Sequence, residues 1–145
     1  MGLPTTEVGV VSCSGEEFPG GTITRVATRL VLEKLRPDKT VTICLPLFLA
    51  GDKNERGFAE VFPTITVDGC DKRCAQIATS NLSGKPAYSI VVTDIAKKHP
   101  EIILKSCERL TEDEMKIARE VAEEIAAKVD AILERSSAKK RVRSK

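Results

Sequence analysis

Tryptophan is absent from this 145-residue chain, tyrosine and histidine occur once each, and phenylalanine occurs four times. Stacking of nucleic-acid bases on aromatic rings therefore has little to work with. Histidine-based metal or triad chemistry has a single residue, His99, to draw on. No apolar run reaches the roughly 18 residues that a membrane-crossing helix needs. The lysine-containing phosphate loop (GxxxxGK) is missing, and so is the C-x-x-C pair of zinc ribbons and thioredoxin-like sites. The first residues show no charged region followed by an apolar stretch and a cleavage site. The expectation is a cytoplasmic protein with no membrane partner. The start, MGLPTT, fits the short myristoylation pattern M-G-x-x-x-[ST], but Pro4 stands inside it and nothing else suggests an anchor.

What is present is a globular composition, 41% hydrophobic and 30% charged, at a length that suits one domain with a sizeable core. The formal net charge is +2, and it is unevenly spread. Residues 135–145 (RSSAKKRVRSK) hold six Lys or Arg and no acid, which leaves residues 1–134 with 17 basic against 21 acidic side chains. A mildly acidic body is a poor match to a nucleic-acid-binding domain, whose basic face is built into the fold. We read 1–134 as a single domain and 135–145 as a basic, flexible tail. Weak electrostatic contact of that tail with RNA or an acidic partner is the alternative.

Strand and helix signals alternate. Residues 7–12 (EVGVVS) form a short β-branched run that ends at Cys13-Ser14-Gly15. Pro19-Gly20-Gly21 reads as a breaker, after which Thr22 caps a helix whose apolar face is Ile23, Val26, Ala27, Leu30 and Val31, stopped by Pro37-Asp38. A second strand, 40–43, runs into Cys44, followed by an apolar loop or turn over 45–51 and a short helix within 52–62. The third strand, 64–67, ends at Asp68-Gly69-Cys70, and a helix is expected from about Asp71 to Leu82. The fourth strand, 87–93, ends at Asp94. Thr111 and Glu114 have the spacing of a capping box. Beyond them Ile117, Val121, Ile125, Val129 and Ile132 line one face of a long helix, 111–134. The implied architecture is α/β: an open, mainly parallel sheet of about four strands flanked by helices, with a long C-terminal helix. That helix could cover the sheet or pair with a second copy, a possible homodimer.

Five cysteines stand out in a chain of this class, where thiols serve as metal ligands, as reactive groups or as small buried hydrophobes. Cys13 follows the first strand, Cys44 the second and Cys70 the third, with Cys74 four residues on. In a parallel sheet the C-terminal strand ends share one edge, where ligands gather. Four thiols distant in sequence are thus expected to converge. Such a set suits tetrahedral Zn²⁺, and Cys70 and Cys74, if they bracket a helix start, would point to one side. Lys72 and Arg73 could offset part of the thiolate charge. Cys107 falls outside the pattern as a packed or surface thiol. Asp94 reads as the start of a turn, with a hydrogen-bond acceptor beside the ligands, a fifth ligand or a catalytic base as the alternatives, and His99 reads as a loop residue.

These residues carry a resemblance. Asp68-Gly69-Cys70 followed by Asp71-Lys72-Arg73-Cys74-Ala75 resembles the signature of the DGC-domain family. An early Cys13-Ser14-Gly15 and a later Cys44-Leu45-Pro46 agree in order, and the likeness covers about residues 7–105. It implies zinc binding through Cys13, Cys44, Cys70 and Cys74, and implies no general catalytic activity. Whether the chain is an enzyme, and what small molecule it meets, stay open. A metal-free thiol–disulfide redox protein or sensor is one alternative. An iron–sulfur cluster on the same four cysteines is another. A phosphatase-type loop (C-x5-R) is excluded, because Pro19 stands where its arginine belongs and Glu16 and Glu17 would repel phosphate.

Overall fold

A computed structural model describes residues 6–105 and 107–143. The myristoylation-like start and the last two basic-stretch residues, 144–145, lie outside or at the border of that range. The sheet has four strands: β1 (Val8–Ser12), β2 (Thr40–Thr42), β3 (Thr64–Asp68) and β4 (Tyr88–Val91). Their spatial order is β2-β1-β3-β4, and each neighbouring pair is parallel. The architecture is therefore the expected α/β one. The chain leaves β1 outward to β2, then crosses back past β1 to β3 and β4. The order reverses between β1 and β3, which makes the crevice beyond their C-terminal ends the place where such sheets receive ligands.

Alternation along the strands sorts side chains between two faces. Val8 and Val10 of β1, with Ile65 and Val67 of β3, pack in a large core against α1 (Pro19–Leu30) and α7 (Glu112–Arg143). The predicted stripe of α7, Ile117, Val121, Ile125, Val129 and Ile132, is buried there. The capping box at its start is also present: Thr111 Oγ1 accepts the Glu114 N–H at 3.2 Å, and Glu114 Oε1 accepts the Thr111 hydroxyl at 3.0 Å. The opposite face is thinner. Val11, Phe58 and Ala75 form a small cluster under α4 (Phe58–Val61) and α5 (Cys74–Leu82).

Several local expectations are corrected. Thr22 is not a cap. The first helix starts at Pro19, whose fixed φ and missing N–H suit a first helical position. Thr22 lies buried inside it and donates to the carbonyl of Cys107 at 2.6 Å. Gly20 and Gly21 do not break this helix because they allow close packing: a Cβ on Gly20 would meet the Gly69 carbonyl at 2.5 Å, and one on Gly21 would collide with the Gly15 backbone. The helix then widens into a π turn, Val31–Leu35, before Pro37. The apolar stretch after Cys44 is helical, α2 (Leu45–Leu49), again with proline in its first turn. The segment 52–62 holds two helical turns, α3 (Lys53–Arg56) and α4, rather than one helix. The helix expected from Asp71 begins only at Cys74. The end of the fourth strand is replaced by α6 (Val92–Ala96), because Val92 and Ile95 bury as a helical turn in the main core. Finally, α7 runs to Arg143, so the basic stretch from residue 135 continues the helix. No glycine or proline stands after Ile132 to stop it.

Among the described residues, no helix is long and apolar enough to cross a membrane.

Candidate metal centre

The topology carries the loops of Cys13, Cys44 and Cys70 to one edge of the sheet, on the ends of the three neighbouring strands β1, β2 and β3. Cys13 and Cys70 flank the point where the strand order reverses. Cys13 still belongs to the ladder, its N–H donating to the Val67 carbonyl at 2.9 Å. Its sulfur is partnered on two sides. Sγ accepts the N–H of Gly69 at 3.3 Å and lies 3.8 Å from Thr24 Oγ1. The Thr24 hydroxyl hydrogen is engaged by the Gly21 carbonyl at 2.6 Å, and its oxygen accepts the Ser14 N–H at 3.1 Å. The sulfur of Cys13 is therefore hydrogen-bonded to the backbone of the Asp68-Gly69-Cys70 turn.

The turn itself is tightly arranged. Asp68, the last residue of β3, is 1% exposed, and its two carboxylate oxygens accept the N–H groups of Ala75 at 2.7 Å and Gln76 at 3.1 Å. Burial pushes this carboxyl above its ordinary value, against the downward pull of the two N–H donors and of Arg73. Cys70 is half-buried, and its carbonyl accepts the Arg73 N–H. Cys74, exposed, is the first residue of α5. Cys70 and Cys74 therefore do not lie on one helix face, and the i,i+4 reading of the pair fails. The loop between them turns through Arg73, which is held in the left-handed region at φ 53°. Ser14, next to Cys13, is left-handed too, at φ 51°. Non-glycine residues in that region cost of order 1 kcal/mol each.

Cys44 stands apart. It is exposed, and its N–H donates to Glu55 Oε2 at 2.8 Å, which ties its loop to α3 rather than to the other cysteines. Cys107 is half-buried, and its thiol donates to the Glu17 carbonyl at 3.5 Å. Asp94 is exposed on α6, 3.8 Å from Lys97. His99 lies in a loop and meets Glu120 at 2.5 Å, fastening that loop to α7.

The donor chemistry suits a thiophilic ion: four free thiols, three of them on adjacent strand ends. The arrangement is open. Among the described residues, no group of three or more His, Cys, Asp or Glu side chains is placed to hold a metal ion. The edge brings together the backbone loops that bear the cysteines without closing their side chains into one set. Asp68 is the residue that pattern reading undervalued. Its signal was an acid at the buried end of a strand, a position that needs hydrogen-bond donors nearby.

The model of the DGC domain family matches residues 9–129. The match reaches well into α7, beyond the 7–105 span expected from the motifs, and so takes in the helix whose buried stripe lines the main core. Neither a curated protein nor a solved structure matches the chain.

Proposed function

The chain belongs to the DGC-domain family, and we propose that it binds one zinc ion through Cys13, Cys44, Cys70 and Cys74 at the C-terminal edge of its sheet. The observation that carries this reading is the repetition: a cysteine follows each of three adjacent parallel strands, two of them at the strand-order reversal. An isolated buried thiol needs no such placement. Four soft donors select zinc over harder divalent ions. The edge loops that bear the thiols would close around the ion, the free energy of binding offsetting the cost of ordering them. Zinc, which has no redox chemistry, would cross-link the edge loops.

The chain's own residues prepare the edge for that role. The Gly69 N–H already donates to the Cys13 sulfur, which ties that thiol to the turn bearing Cys70. Lys72 and Arg73 place positive charge in the loop between Cys70 and Cys74. The main core is built without any of the four cysteines, so the site is not needed to hold the domain together. The role is accordingly zinc handling, sensing or thiolate reactivity rather than stapling an undersized fold.

The test is native metal content under reducing conditions, followed by a thiol count before and after chelation. One zinc per chain that shields four thiols and leaves Cys107 reactive is the expected result. Metal-free protein with a reproducible disulfide among the four would replace this reading with thiol redox chemistry. Visible absorption after anaerobic purification would replace it with an iron–sulfur cluster.

A further inference from the structure

An ordinary helix cap comes from the residue just before the helix. At α5 that residue is Arg73, and its side chain makes no capping bond. The amides of Ala75 and Gln76 are satisfied instead by Asp68, which sits at the end of β3 on the far side of the Cys70 loop. A buried carboxylate is costly unless donors meet it, and here both oxygens are met by the same short stretch of helix. The loop 69–73 is thereby closed at its base by one side chain. At its beginning it is held a second time, by the Gly69 N–H on the Cys13 sulfur. Gly69 also lies against the backbone of Gly20 and Gly21 with no room for a Cβ. Cys44 has no comparable tie to this loop, its N–H being committed to Glu55.

We propose that Asp68 is a positioning residue, a clasp that sets the separation of Cys70 and Cys74 before any metal arrives. This rests on the zinc reading above. Its side chain is buried and both of its oxygens are engaged by amides of α5, so it acts through the loop. The backbone turns that bear Cys13, Cys70 and Cys74 are then tied to one another before the side chains close on an ion, and Cys44 is the thiol that has to be brought in from β2.

The experiment uses the full chain, reduced, as wild type, Asp68→Asn and Asp68→Ala. Zinc affinity is measured by competition with a chromophoric chelator. In metal-free protein, a dithiol-bridging reagent such as dibromobimane is applied and the bridged peptides are mapped. Asp68→Ala is expected to lower zinc affinity by roughly ten- to a hundredfold, the range for partners that orient ligands. It is also expected to lower the Cys70–Cys74 bridge yield several-fold. Asp68→Asn keeps one acceptor oxygen and should fall between the two, and it carries the test if Asp68→Ala does not fold. Unchanged bridging in both variants overturns the clasp, whatever happens to zinc. Wild-type protein that takes no zinc overturns the metal reading alone, and the bridging yields still decide the clasp.

Discussion

Val10 and Val11 are neighbours in β1, and both are almost inaccessible to solvent, yet they face different surroundings. Val10 looks into a continuous apolar core built by α1 and α7. Val11 looks toward Phe58 and Ala75, with half-buried Cys13, Val41, Ile43, Leu45 and Phe62 around them. Buried hydroxyls with no hydrogen-bond partner occur on both sides, Thr66 and Thr79 on the second and Thr28 of α1 on the first. Long helices bury a long stripe and leave few gaps. Short helical turns cannot, and the thinner packing leaves neighbouring loops freer to rearrange. The Asp68 clasp belongs to the thin side: Thr64, Thr66 and Asp68 alternate away from Ile65 and Val67. One face serves as the foundation, and the other carries the loops that would have to adjust around an ion.

That contrast can be broken most forcefully on the thick side. Ile125→Ala, at a fully buried position of α7, should cost about 3–4 kcal/mol in urea unfolding. A loss below about 1 kcal/mol would mean that the helix is not integral to the core. Next in size is the effect of metal on the thin side. With free zinc at about a hundred times its Kd, unfolding should become harder by about 2.7 kcal/mol, reversed by chelation. No shift would remove the zinc reading.

The sharpest comparison pairs the two valines. Val10→Ala should destabilise by about 2 kcal/mol and Val11→Ala by about half as much, because the thin side can collapse into the space left. Equal losses would show that the faces do not differ in packing. Thr66→Val removes an unpartnered buried hydroxyl while keeping its shape, and should stabilise by about 1 kcal/mol. Destabilisation would reveal a partner for that hydroxyl, such as an internal water.

The smallest effect lies at the rim of the thick side. Arg36 Nε and Nη2 donate to the two oxygens of Asp130 at 2.8 and 2.7 Å, joining the end of the π turn to α7. Both side chains are substantially exposed, so Asp130→Asn should cost at most about 1 kcal/mol at neutral pH. The hydrogen bond from Arg36 holds the Asp130 carboxyl below its ordinary value, against a small opposing effect of burial. A native value below the unfolded one means that the benefit is complete above the unfolded value of about 4. It is lost as the pH falls through the native value. The difference between wild type and Asp130→Asn should therefore shrink to nothing on acidification, and a gap that persists at low pH would show that the pair acts through packing.

Much of the architecture is legible in the residues alone because it depends on periodicity. The stripe from Ile117 to Ile132, the capping box at Thr111 and Glu114, and the β-branched runs of four strands each carry their signal within a few neighbouring positions. The cysteines after successive strands are legible for the same reason, since a parallel sheet puts those ends on one edge whatever the strand order. Other features depend on partners distant in the chain. Pro19-Gly20-Gly21 reads as a breaker until Gly15 and Gly69 are seen pressed against it. Val92 reads as strand until the core under α7 claims it as a helical turn. The start of α5, and with it the relation of Cys70 to Cys74, is decided by a carboxylate reaching across the loop from Asp68. Short-range pattern determined the four strands, the long helices and which residues reach the edge. Tertiary structure decided how the loops at that edge are tied, because hydrogen bonds and close backbone packing act between segments whose meeting no local spacing encodes.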